Sequence, residues 1–134
     1  MDTSKPLAER LEEVVVAAGH ALTPQRRAIV RWLAGRHDHP TAAMALAAVT
    51  RDFPLSSRAT VYNTLGLLVE IGAITAIPTG DELRYDPNPD PHHHLRCQVC
   101  GGLEDVPAEW VTTTLRGVPT SARVEFSGRC GDCS

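Results

Sequence analysis

Two C-x-x-C pairs, Cys97–Cys100 and Cys130–Cys133, do most to limit what this chain can fold into. Two residues between cysteines let both thiolates face one ion from a tight turn. Two such knuckles close a tetrahedral site of four thiolates, which suits zinc. The 29 residues between Cys100 and Cys130 fit a strand–helix–strand whose ends return together. The segment after residue 91 is near the size, roughly 40–50 residues, at which a core alone rarely holds a fold, so a metal is expected to supply folding energy. With every position taken by sulfur, no place remains for water or substrate, and the role is structural. The competing reading is buried or redox-active thiols; the paired spacing and the small core favour zinc.

Upstream of this segment the pattern is helical. Residues 7–18, "LAERLEEVVVAA", predict a helix ended by Gly19. "LTPQRRAIVRWLAG" predicts a second, with Thr23 as N-cap, Pro24 in the first turn, and Ile29, Val30 and Leu33 as its apolar stripe. A third is expected at roughly 42–51, stopped before Pro54. The fourth begins at a cap on Ser56 or Ser57, buries Val61, Leu65, Leu68 and Val69, and closes at Gly72. "AITAIPTGDELRYD" reads as a hairpin turning near Thr79–Gly80–Asp81. Helices followed by a two-stranded wing predict a winged helix-turn-helix. The prolines of "DPNPDP" then make an extended connector. The expected organisation is α+β: a winged-helix domain over 1–86, a Pro-rich hinge over 87–91 and a small α/β domain over 92–134. Within the last, strands are expected near 93–97, 102–106 and 122–128, with a helix near 107–116.

Five further side chains have metal-ligand chemistry: His39, Asp86, His92, His94 and Asp105. His92 and His94 alternate along an extended run and so face one side, whereas His93 is expected to point away, toward solvent or a partner. A mixed shell of nitrogen and oxygen suits Fe(II), Mn(II), Zn(II) or Ni(II). His20 and His37 are expected to be surface residues.

Charge is unevenly spread. Residues 1–60 hold eight Lys/Arg against six Asp/Glu, and residues 61–134 hold five against ten. The front half suits a polyanion and the rear half suits cations. No stretch approaches the roughly 18 apolar residues of a membrane span. The opening "MDTSKPLAERLEE" lacks the apolar region of a secretory signal, so a cytoplasmic protein with no membrane partner is expected. An enzyme built on a catalytic metal is one rival, but no separate nucleophile or acid/base motif accompanies the ligands. A C-x-x-C thiol oxidoreductase is another, and cysteines locked on zinc would be inert. A metal-storage module would not explain the capped helices and the wing.

The residues "LTPQRRAIVRWL", "HPTA", "SSRATVYNTLGLLVEIG", "LRYDP", "HHHLRCQVCGGLEDV" and "GRCGDC", in this order and over nearly the whole chain, resemble the ferric uptake regulator (Fur) family. The resemblance implies a homodimeric, metal-dependent repressor that binds a palindromic operator in double-stranded DNA through its winged helix and dimerises through its α/β domain. It implies structural zinc on Cys97, Cys100, Cys130 and Cys133, and a regulatory ion on His39, Asp86, His92, His94 and Asp105. The aspartate at Asp105 is that of the peroxide-sensing, PerR-like branch. There Fe(II) promotes oxidation of a histidine ligand by peroxide, which points to His39 and His92, while Mn(II) supports DNA binding without that oxidation. A plain iron, manganese or nickel sensor is the alternative, and the "HHH" run suits nickel. The chain also departs from the family. No histidine follows residue 94, so a second histidine/acid site is not expected; the segment between the C-x-x-C pairs is short; and no spare cysteine exists for zinc sensing.

If the fourth helix enters the major groove by its N-terminal turns, Ala59 and Asn63 face furthest from its apolar stripe, and Arg58 and Tyr62 lie on its flank with Thr60 nearby. Arg58 would reach phosphate or guanine, Tyr62 a thymine methyl, and Arg26 and Arg27 the DNA backbone.

Overall fold

Hydroxyl side chains start three of the helices. Thr23 accepts from Arg26 N at the head of α2 (Pro24–Ala34), Thr41 from Met44 N at α3 (Ala42–Asp52), and Ser57 from Thr60 N at α4 (Arg58–Glu70). Each satisfies a backbone donor that has no partner within its helix. α1 (Leu7–Ala17) runs into Gly19, whose φ of 88° is one that a side chain would resist. The computed structural model describes residues 4–134 and divides into two units, Met1–Pro89 and Asp90–Ser134.

In the first unit, α1 packs on α2, α2 on α3, and α3 on α4. Ile29, Val30, Leu33, Val61 and Leu65 are fully buried, each contributing about 1.5–3 kcal/mol. Leu11, Val15, Val49, Leu68 and Ile74 complete the core. β1 (Thr75–Thr79) and β2 (Glu82–Asp86) form an antiparallel wing, Thr75 opposite Asp86, turning at Gly80 with φ 69°. The loop before α3 is sewn to β2. Tyr85 N donates to Pro40 O (2.9 Å), Arg84 Nη1 donates to His39 O (3.0 Å), and Thr41 bridges to Arg84. These bonds hold His39 at a φ of 54°, an uncommon conformation for a residue with a side chain.

The second unit is a three-stranded sheet in the order β4 (Leu103–Pro107), β3 (His92–Cys97), β5 (Glu125–Gly128). β3 pairs antiparallel with β4 and parallel with β5. The helix expected near 107–116 is only a 3-10 turn, Ala108–Trp110. Three successive threonines, Thr112 to Thr114, then Gly117 and Pro119, oppose helix extension, and no apolar stripe is buried there to outweigh them. His93, expected to face solvent or a partner, is buried and accepts a hydrogen bond from Val124 N at 3.0 Å. It ties the incoming end of β5 to β3. Cys97, Leu103 and Cys130 are this unit's buried apolar residues, while Trp110, Leu115, Val118 and Phe126 stay exposed.

Candidate metal centres and nucleic-acid face

The first C-x-x-C is built into the turn from β3 to β4. Cys97 N donates to Gly102 O at 2.9 Å, and Gly101 takes a φ of 74°. The turn aims amides at sulfur: Val99 N and Cys100 N each lie 3.4 Å from Cys97 Sγ, and Gly102 N lies 3.4 Å from Cys100 Sγ. The second pair follows β5, with Cys133 N donating to Cys130 O at 3.1 Å. The four sulfurs lie within 4.8 Å of one another. Cys100 Sγ and Cys130 Sγ are 3.8 Å apart, far beyond a disulfide. That separation matches the edge, about 3.8 Å, of a tetrahedron with zinc–sulfur bonds of about 2.3 Å.

The thiols are electrostatically unequal. The backbone amide of Cys100, with those of Cys130 and Val99, brings the Cys97 thiol down to about 6 against the opposing effect of burial. Proton sharing with Cys130 and Cys97 pushes Cys133 up to about 12. One thiolate forms readily and the next is resisted by the sulfur already charged. A divalent cation removes that conflict, so the donor set fits zinc.

Each unit also carries a histidine–carboxylate group. In the first, His39 Nε2 lies 3.6 Å from Asp86 Oδ2, both side chains being buried. Asp86 closes β2, and its Oδ1 accepts from Asn88 N at 2.9 Å, which fixes the carboxylate. In the second, His94 stands opposite Asp105 across β3 and β4, Nε2 to Oδ1 being 3.4 Å. His92, two residues along the same face, brings Nε2 to 3.5 Å from that oxygen. His92 Nδ1 donates to Asp90 O at 2.6 Å, so in the neutral ring Nε2 carries the lone pair and is the nitrogen able to bind a metal. Two imidazole nitrogens gathered at one carboxylate oxygen suit a divalent cation of the first transition row. Sequence reasoning did not find the parts played by Asp90, which acts through its carbonyl, or by Arg84, whose charge gives no hint of a backbone clamp.

On α4, Arg58, Ala59, Tyr62 and Asn63 are exposed. The Arg58 guanidinium lies over the Tyr62 ring, 5.3 Å from its centre, and its Nη2 is 3.4 Å from the Tyr62 hydroxyl. Thr60 is half-buried and engaged with Ser57, Oγ to Oγ1 2.9 Å, so it completes the cap. A groove beside α4 is lined by Thr23, Gln25, Arg26, Thr60 and Asn63, among others. Gln25 is an addition to the residues expected there. Arg26 differs from Arg27: its Nη1 donates to Ala21 O at 2.7 Å, while Arg27 is exposed, 3.9 Å from Glu12.

A winged helix, followed by a unit organised around clustered thiols and imidazoles, is the build of a metal-responsive transcription regulator. The chain belongs to the ferric uptake regulator family, whose model matches residues 17–126. It is 35% identical to the peroxide-responsive repressor PerR of Staphylococcus aureus over 138 residues, covering 95% of this chain and 93% of that protein. Among solved structures it resembles a zinc-bound manganese uptake regulator, with TM-score 0.71, 27% identity, and coverage of 90% and 98% of the two chains. It also resembles the Campylobacter jejuni peroxide stress regulator, with TM-score 0.67, 26% identity, and coverage of 99% and 100%. Among the described residues, no helix is long and apolar enough to cross a membrane.

Proposed function

We propose that this chain is a homodimeric, metal-dependent transcriptional repressor that loses its operator when peroxide oxidises one of its own histidines. The winged-helix domain reads DNA, the unit beyond the Pro-rich hinge dimerises, and zinc on Cys97, Cys100, Cys130 and Cys133 holds that unit together. A single regulatory Fe(II) or Mn(II) takes His39 and Asp86 from one unit and His92, His94 and Asp105 from the other.

The observation that carries this reading is the division of the ligands. His39 and Asp86 make two donors in the first unit; His92, His94 and Asp105 make three in the second. Neither set fills the shell of a first-row divalent ion, and together they do. An ion that needs both selects one arrangement of the units through its higher affinity for it. In a dimer, that arrangement sets the distance between two recognition helices, and half-sites on DNA recur at fixed spacing. Dimerisation is supported by the exposed Trp110, Leu115, Val118 and Phe126 on a unit whose sheet has only three strands.

Fe(II) bound by these residues would supply the reducing power for peroxide, and His39 and His92 would be the imidazoles that take the oxygen; Asp86 lies beside His39, and the Asp90 carbonyl fixes the His92 ring. The reading is regulatory rather than catalytic, and the expected location is the cytoplasm. A plain manganese or iron sensor is the second reading, favoured by the likeness to the manganese uptake regulator. Operator binding by protein loaded separately with Mn(II) and Fe(II), before and after peroxide, tests both. Release of the Fe(II) form alone supports peroxide sensing, and equal resistance of both forms supports level sensing.

A further inference from the structure

We infer that Glu104 is a positioning residue for the four-cysteine centre, its carboxylate holding the second knuckle against β4. The inference rests on the zinc reading of those cysteines. The two knuckles are anchored differently. The first lies inside the β3–β4 turn, between strands whose register is fixed by Arg96 opposite Leu103, and Gly101 N donates to Cys97 O at 3.0 Å. The second emerges after β5. The bond from Cys133 N to Cys130 O, and the bond from Ser134 Oγ to Cys130 O at 2.9 Å, shape this turn without fixing its place. Gly131 N, in the middle of the knuckle, donates to Glu104 Oε1 at 2.8 Å, a bond reaching to another strand.

An amide bonded to a carboxylate makes a charge-assisted bond, about twice as strong as a neutral one. Cys130 and Cys133 supply half the sulfurs, so if the knuckle swings away, two ligands leave together. Gln98 N also donates to Gly128 O at 2.7 Å, which holds the chain entering the knuckle, and the clasp adds the tie within the knuckle itself and so slows the loss of zinc. The strand that carries it has a double use. Glu104 stands opposite Leu95 and its neighbour Asp105 opposite His94, so adjacent side chains on β4 serve opposite faces of the sheet.

The test uses the zinc-loaded full chain challenged with excess 4-(2-pyridylazo)resorcinol, after zinc has been counted in the wild type. Glu104→Ala should release zinc about tenfold faster, and Glu104→Gln, which keeps an acceptor oxygen, should stay within about threefold of wild type. The Gly131 amide of the wild type should exchange with solvent slowly, which reads the clasp without any variant. Equal release by Glu104→Ala and wild type would overturn the inference, as would a Gln variant as fast as Ala or a Gly131 amide exchanging at the free-chain rate. A wild type without zinc would remove the zinc reading itself and the inference with it.

Discussion

His94 and Asp105 face each other across β3 and β4, Nε2 to Oδ1 3.4 Å, so the pairing register of a sheet brings an imidazole and a carboxylate to one point. Asp105 is also 3.5 Å from His92 Nε2, which makes it the proposed oxygen donor shared with both imidazoles. Asp105→Ala should therefore cut Mn(II) affinity by at least 10–100-fold, the loss typical of disturbing a metal site's surroundings. Metal-dependent operator binding should be lost with it, measured by titrating Mn(II) into protein and labelled operator. Because Asp105 is exposed, the fold of the zinc-loaded protein without Mn(II) should be unchanged by circular dichroism.

The sequence reveals side-chain chemistry well and backbone contributions poorly. Helix starts at Thr23 and Ser57 are legible because a hydroxyl residue precedes an apolar stripe, and the observed caps are those residues. The cysteine and histidine clusters are legible because few other uses explain such residues at such spacing. What escapes is whatever depends on where a backbone group lies. The Asp90 carbonyl selects the tautomer of His92, Val124 N claims His93, and Arg84 clamps the His39 loop through its carbonyl. The missing helix after Pro107 shows the same limit, since its β-branched run weighs against helix only when no core is there to receive it.

Replacing Cys130 with Ser removes one of the four proposed zinc ligands from a unit whose buried apolar residues are Cys97, Leu103 and Cys130. Structural zinc is worth about 10–16 kcal/mol of apparent binding energy in small metal-dependent folds, far more than this core supplies. The variant should lose its zinc and the cooperative unfolding of residues 90–134, seen by calorimetry, while the helical unit keeps its own transition. An unchanged thermogram in zinc-free buffer would count against the metal.

Zinc uptake should release protons, because the ligands bind as thiolates while a cysteine in the unfolded zinc-free unit, with its ordinary value near 9.0, still holds its proton at pH 7.5. Affinity should therefore fall as pH falls. Calorimetric titration in buffers of different ionisation enthalpy counts the protons.

Arg58 and Tyr62 form a stacked pair on the exposed face of α4, so each holds the other in place. Arg58→Ala should cost about 1–3 kcal/mol of operator affinity and leave stability unchanged, because the residue is exposed. Tyr62→Ala should lose a comparable amount, including the ordering of Arg58. Arg26→Ala should behave differently. Its bond to the Ala21 carbonyl braces the start of α2, so both melting temperature and DNA affinity should fall. Anisotropy titrations beside thermal melts separate the two classes, and a stable Arg26→Ala protein would remove the distinction.

Oxidation by peroxide should mark the chain itself. His39 is buried beside Asp86, and His92, half-buried, has its Nδ1 occupied by Asp90 O and its Nε2 near Asp105. If one ion is held by both units as proposed, an oxidant formed there would meet these rings before it escaped into solvent. Iron-loaded protein treated with hydrogen peroxide should gain one oxygen on the peptide holding His39 or His92 and lose operator binding in proportion. Mn(II)-loaded protein should show neither change, because manganese does not supply the reducing step. Peptide mass spectrometry locates the oxygen. Oxidation confined to Cys97, Cys100, Cys130 and Cys133, with zinc released, would instead identify a thiol switch, since thiolates bound to zinc should outlast the histidines at the low peroxide doses that dissociate the complex.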